Sequence, residues 1–217
     1  MDQMITATGV CLGASSVSAV RIALRQNKNG GADAKPSIIS HAVLAHDGDP
    51  QTTLRKALEA VGVDGGDKVA ATGRKFRQFV NLSSIPEPQA AELAYRHIKP
   101  EGITCPALVS AGGETFMVYV LDDNGQISNV LTGNKCAAGT GEFFLQQLRR
   151  MNVTLEEAGQ WADEVEPYHV SGRCSVFCKS DCTHATNKGI PKSSVTAGLG
   201  QMMANKILEL LKKVERR

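Results

Sequence analysis

The chain has 217 residues, 42% of them hydrophobic and 21% charged, which suits a soluble globular protein with room for one large domain or two small ones with real cores. A net charge of +2 offers no field for a polyanion, and one Trp with three Tyr leaves few platforms for stacking single-stranded bases, so no nucleic acid partner is expected. No run approaches the ~20 apolar residues that cross a bilayer, because Glu114 interrupts the best candidate, "LVSAGGETFMVYVL", and the start Met-Asp-Gln lacks the basic segment of a signal peptide; no membrane contact and a cytoplasmic location are expected.

In chain order, "MITATGVCLGASSVSAVRIAL" predicts strand, glycine turn, strand: an apolar run into Cys11-Leu12-Gly13, small hydroxyl residues at the bend, then β-branched residues between Val17 and Leu24. A polar loop over 26–36 leads to the strand "SIISHAVLA". "PQTTLRKALEAVG" predicts a helix with Pro50 at its start, Leu54, Leu58 and Val61 on one face, and Gly62 as its stop. "KVAATG" gives a short strand and "EPQAAELAYRHI" a second helix, so the order is β-β-β-α-β-α. Something like it then restarts. "TCPALVSAGGETFMVYVLDDNGQISNVLTG" predicts strand, glycine turn, strand, a hairpin at Asn124-Gly125, and strand. Helices are expected at 140–151, 154–163, about 178–188 and 193–215. The strand–glycine–strand opening shared by Gly13 and Gly112-Gly113 reads as an internal duplication, with subdomains over 1–100 and 101–217. Two such halves facing one another make a cleft, and glycine hairpins across a cleft suit a triphosphate.

Gly13-Ala14-Ser15-Ser16 offers backbone N–H groups and two hydroxyls at a tight turn, a way to hold phosphate without a side-chain cation, and Gly112-Gly113 is similar in kind. "GNKCAAGTGEFF" places Cys136 before a glycine-rich turn that runs into an amphipathic helix. Such a turn presents free N–H groups and the positive end of the helix dipole. Cys136 is therefore a phosphate-loop neighbour, a nucleophile or a metal ligand. In "SGRCSVFCKSDCTH" the cysteines at 174, 178 and 182 recur every four residues. On a helix they span ~12 Å, too far for one metal ion, and the stretch lacks the paired C-x₂-C of a zinc ribbon. Cys178 and Cys182 read as small buried hydrophobes. Cys174 follows Ser171-Gly172-Arg173 at a loop or helix start, as Cys136 does. Two thiolates at helix N-termini make half of a four-cysteine iron–sulfur site, and a symmetric dimer supplies the other half.

Together, "GNKCAAGTGEFF", "SGRCSVFC", "SAGGETFMVYVLD" and "TGRKFRQFVNLSSIPEPQAAELA" resemble the BadF/BadG/BcrA/BcrD ATPase family, activators of 2-hydroxyacyl-CoA dehydratases and ATP-coupled benzoyl-CoA reductases. The resemblance covers nearly the whole chain and implies an α/β, actin-like ATPase fold with duplicated ribonuclease H-like domains. It implies a homodimer bridged by one [4Fe–4S] cluster on Cys136 and Cys174 of each chain, with ATP and Mg²⁺ held at Gly13, Ala14, Ser15, Ser16, Gly112 and Gly113. It further implies single-electron transfer from reduced ferredoxin or flavodoxin to a dehydratase or reductase component. Three departures stand against that pattern. The family's G-x-D-x-G-S/T-x-x-x-K loop reads "GVCLGASSVS" here, with Cys11 for the Asp and Ser18 for the Lys. The Asp two residues before the second glycine pair is Ser110, so hydrolysis is expected to be impaired. No adenosine-binding G-G-x-x-x-N segment follows the last helix, so the second subdomain is expected to be truncated, as in an N-terminal module of the long activases. A degenerate pseudo-ATPase that relays electrons or docks is the alternative; a sugar-kinase-like phosphotransferase lacks the Asp residues its chemistry needs.

Overall fold

The computed structural model describes residues 3–26, 35–73, 82–99, 101–133 and 140–215. It divides into two compact units, Met1–Ile103 and Thr104–Arg217. None of the described helices is long and apolar enough to cross a membrane.

The first unit runs β1 (Gln3–Leu12), β2 (Ser16–Gln26), β3 (Ser37–Ala45), α1 (Pro50–Val61), β4 (Lys68–Thr72), β5 (Ser83–Ser84) and α2 (Glu87–Ile98). Its sheet has the order β3-β2-β1-β4-β5. The first three strands form an antiparallel meander, and β4 and β5 add in parallel. Alternation along the strands decides which side is covered: Val10, Leu12, Val17 and Ala19 point into a core closed by Leu54, Ala57 and Val61 of α1. Burying an aliphatic side chain of that size stabilises by about 1.5–3 kcal/mol. The Asp49 carboxylate accepts the Thr52 N–H at 3.1 Å at the start of α1, and Gly62 ends it in the left-handed region at φ 69°, as Asp-Pro and Gly at those places require. The loop after α1 is tied to the sheet through Arg21, whose guanidinium lies 2.6 Å from Asp64 and 2.8 Å from Asp67. Hydrogen bonds from Thr6, Arg21 and Thr8 hold the Asp67 carboxyl at about 2. β5, only two residues long, was not predicted; it forms by pairing Ser83 and Ser84 with Ala70 and Ala71, a tertiary contact that leaves no periodic signal.

The second unit opens with an antiparallel sheet of β6 (Ala107–Ala111), β7 (Phe116–Leu121) and β8 (Ile127–Thr132). The Asn124-Gly125 turn is where it was expected, with Gly125 at φ 74° and Asp122 N–H on the Gln126 carbonyl at 2.9 Å. Four helices follow: α3 (Gly141–Met151), α4 (Leu155–Glu164), α5 (Ser175–Asn187) and α6 (Lys192–Glu215). The first half of α6 buries Val195, Leu199 and Met202 against Phe143 of α3 and Cys178, Cys182 and Ala185 of α5. Its second half packs Leu210 on Phe116 and Val118 of β7. α5 begins at Ser175, about three residues earlier than the sequence reading. Cys174 is therefore its N-cap, while Cys178 and Cys182 lie inside the helix, 0% and 4% exposed.

Candidate phosphate loops and thiol centre

Both glycine hairpins close the same way. Gly13 N–H donates to the Ser16 carbonyl at 2.9 Å, and Gly112 N–H to the Thr115 carbonyl at 3.1 Å. In the first loop the Ser15 carbonyl also accepts the His46 N–H at 3.0 Å, while the Ala14 and Ser15 amides meet no protein acceptor among the described residues. The Ser15 hydroxyl is buried without a hydrogen-bond partner. Beneath this loop, Gly73 sits at φ 115°, where a Cβ would lie 2.3 Å from the Leu12 carbonyl oxygen, so only glycine lets the end of β4 approach the end of β1. Cys11, one residue from the end of β1, is half-buried; burial first, and then the Glu87 carboxylate, push its thiol pKa up. At neutral pH it is a neutral thiol.

The second loop is latched to α3. The Gly112 carbonyl accepts Gly141 N–H at 3.1 Å, the Gly113 carbonyl accepts Glu142 N–H at 3.0 Å, and the Thr140 hydroxyl accepts Phe143 N–H at 3.2 Å. Close packing allows this: a Cβ on Gly141 would lie 3.2 Å from the Gly112 oxygen. The expectation of free amides at this helix start is therefore corrected for Gly141, Glu142 and Phe143, whose N–H groups are spent on the protein itself. Cys136 lies outside the described residues.

At the start of α5 the arrangement is reversed. The Cys174 side chain makes no capping bond, its carbonyl accepts Cys178 N–H at 2.9 Å, and among the described residues no backbone acceptor meets the amides of Ser175, Val176 and Phe177. Val176 and Phe177 are 69% and 64% exposed beside it. The approach to Cys174 is fixed from two sides. The Asp181 carboxylate accepts Ser171 N–H at 2.9 Å, and the Tyr168 backbone packs on α6 at Gly198, where a Cβ would fall 1.8 Å from the Tyr168 carbonyl oxygen. Cys178 and Cys182 hydrogen-bond to one another, and that bond with burial raises the Cys178 thiol pKa; they serve packing. Among the described residues no three His, Cys, Asp or Glu side chains converge on one metal position.

A cavity of about 660 Å³ in this unit was not foreseen from sequence. Gly133 and Thr140, which bracket the segment holding Cys136, line it together with Arg173, the residue before Cys174, and with Met202, Lys206 and Leu210 of α6. Its lining residues come from five separate parts of the second half of the chain, a convergence with no local sequence signal.

A mixed α/β architecture with a glycine hairpin opening each unit defines an actin-like ATPase fold, and solved structures agree. The activator of the 2-hydroxyisocaproyl-CoA dehydratase from Clostridium difficile, solved with bound ADPNP, superposes with a TM-score of 0.80 at 24% identity, over 97% of this chain and 76% of that one. The chain belongs to the BadF/BadG/BcrA/BcrD ATPase family, whose sequence model matches residues 9–217. Among curated relatives it is 27% identical over 182 residues to the activator of lactoyl-CoA dehydratase of Anaerotignum propionicum, over 80% of this chain and 68% of the relative. It is also 27% identical over 169 residues to the 2-hydroxyisocaproyl-CoA dehydratase activator of Clostridioides difficile, over 76% and 62%. The chain thus matches roughly two thirds of these relatives' length or less.

Proposed function

We propose that this chain is an activator domain that carries half of a [4Fe–4S] cluster and passes single electrons to a 2-hydroxyacyl-CoA dehydratase or benzoyl-CoA reductase type of component. Cys136 and Cys174 are its two ligands, a second copy supplies the other two, and reduced ferredoxin or flavodoxin is the donor. The observation that carries this reading is the start of α5. Cys174 there is half-buried and makes no capping bond, and among the described residues no backbone acceptor meets the three helix amides behind it. Such N–H groups and the dipole stabilise negative charge and tune a cluster's potential. Exposed Val176 and Phe177 flank the thiol, an apolar rim suited to closing over a cluster between two copies. A chain that offers two ligands leaves the other two positions of the cluster to a partner.

The cluster, when bound, supplies the one-electron chemistry; the chain holds it through thiolates and excludes water with the α5 rim. The family and the ADPNP-bound neighbour support nucleotide binding, and by the motif resemblance Gly13–Ser16 and Gly112-Gly113 are the loops that would hold ATP. The replaced motif residues Cys11 and Ser110 favour a second reading, in which the chain keeps the cluster but hydrolyses ATP weakly or not at all.

Anaerobic purification with an iron count and visible spectrum tests the main reading. Broad absorption near ~400 nm and about two irons per chain are expected, in a dimer that loosens when a chelator strips the metal. Cys136→Ala or Cys174→Ala should each abolish the absorption, and Cys178→Ala should keep most of it. Full iron in Cys136→Ala, or an iron-loaded monomer, would defeat the proposal.

A further inference from the structure

The register of the first sheet bears on what the first glycine loop can bind. Cys11 stands directly opposite Ser18 in the antiparallel β1–β2 pair and opposite Thr72 in the parallel β1–β4 pair. Directly paired residues share a face, so Ser18, Cys11 and Thr72 form one row. That row lies on the side away from α1, since the alternate positions Val10, Leu12, Val17 and Ala19 fill the α1 core. It runs along the end of the sheet where β1 enters the loop and β4 ends, and α2 begins with Glu87 close enough to act on Cys11. Within the loop and the row, the hydroxyls of Ser15 and Thr72 are buried with no partner. Buried hydroxyls are ordinarily satisfied, and exceptions call for a missing partner.

The Mg²⁺ that the family's loop implies does not fit this row. A hard cation takes carboxylate and other oxygen ligands in strict octahedral geometry, and the position facing Ser18 holds a protonated thiol. Two of the loop's departures from the family motif, Cys11 for the acid and Ser18 for the base, are cross-strand partners; Ala14 at the hydroxyl position is a third. An acid and a base facing one another have been exchanged together for two neutral groups, which leaves neither charge stranded. A carboxylate at 11 would repel a phosphate unless a cation bridged the two; a thiol makes no such demand.

We infer that the first glycine loop takes a polyphosphate without any requirement for a divalent cation, through the Ala14 and Ser15 amides and the hydroxyls of Ser15, Ser18 and Thr72, with Glu87 as the opposing charge. The inference rests on the reading that this fold holds nucleotide, and the test separates the two. Binding of ATP to the full 217-residue chain is measured by equilibrium dialysis in excess EDTA and in excess Mg²⁺. The wild type should show dissociation constants within about threefold of each other. Thr72→Val, with Ser15→Ala as a second variant should the sheet be disturbed, should weaken binding about tenfold in both buffers. Glu87→Gln should tighten the EDTA value, and the double variant Cys11→Asp/Ser18→Lys should acquire Mg²⁺ dependence of about tenfold or more. A wild type that Mg²⁺ tightens tenfold, or one indifferent to both hydroxyl deletions, overturns the inference. Binding by the double variant but not by the wild type also overturns it while sparing the nucleotide reading. No binding by either removes both.

Discussion

Two helices of the second unit start beside glycine-rich segments that carry a predicted cluster cysteine, and their first turns are built in opposite ways. At α3 the orphan donors of Gly141, Glu142 and Phe143 are met by Gly112, Gly113 and Thr140, so the second glycine loop and the helix behave as one piece. At α5 the N-cap is a cysteine that caps nothing, and among the described residues no backbone acceptor claims the amides of Ser175, Val176 and Phe177. A helix end left without partners is costly unless water or a ligand completes it. The α3 start is thus a structural latch that sets the position of a loop, and the α5 start is the one to which the proposed function assigns negative charge. Their sequence neighbourhoods look alike; only the third dimension separates them.

The largest effect should come from removing the support of the α5 start. Gly198→Ala places a methyl carbon 1.8 Å from the Tyr168 carbonyl oxygen, so either α6 or the 168–173 segment must move. The cost should reach about 3 kcal/mol or more, read as a drop in the melting temperature. Hydrogen exchange should then rise at 170–178 before it rises at 141–148. Equal loosening at both helix starts would mean that the two are not independent, and the contrast would fail.

The contrast can be sharpened at the caps themselves. Thr140→Ala deletes the oxygen that accepts Phe143 N–H and should cost about 1 kcal/mol. Cys174→Ser substitutes a good capping residue for one that makes no cap and should stabilise the iron-free protein by up to about 1 kcal/mol, while iron binding is lost. Opposite signs in denaturant midpoints, with iron content tracking only position 174, are the expected result. Destabilisation by Cys174→Ser would show that the thiol packs in a way a hydroxyl cannot reproduce.

How much of this was legible beforehand follows the range of the interactions. Strand 37–45 and helix 87–98 were readable to the residue because alternation, Pro and charge placement are local signals. The turn at Asn124-Gly125 was readable for the same reason. The two glycine hairpins were visible as motifs. That Gly112 and Gly113 spend their carbonyls on a helix nearly thirty residues on was not, since nothing in "AAGTG" distinguishes an amide that waits for phosphate from one already bonded. The start of α5 is hard to read from sequence because Ser-Val-Phe carries no capping signal and Cys174 is a poor N-cap by propensity. The cavity beside Arg173 and the facing of Cys11 with Ser18 depend on long-range packing and register. The register could have been derived from the tight turn at Gly13, by counting outward from the hairpin.

The smallest expected effect tests whether α5 organises its own start. Asp181, within α5, reaches back to accept Ser171 N–H at 2.9 Å, three residues before Cys174. Where α3 has its lead-in held by another loop, α5 holds its lead-in with its own side chain. Asp181→Asn keeps an acceptor of the same shape but removes the charge, and charge-assisted hydrogen bonds are roughly twice as strong as neutral ones. The expected loss is about 0.5–1 kcal/mol in stability, smaller than for Thr140→Ala or comparable to it. The informative readout is different: alkylation of Cys174 in the iron-free protein should quicken by several-fold, or about 1 kcal/mol in the population of open loop, with Cys178 and Cys182 still protected by burial. Thr183→Ala, which alters an exposed hydroxyl on the same helix that bonds only the Lys179 carbonyl, should leave the alkylation rate where it was. If Asp181→Asn changes neither quantity, the Tyr168 N–H to Ser194 carbonyl bond at 2.9 Å and the Gly198 contact suffice to hold the segment, and α5 receives its geometry from α6 alone.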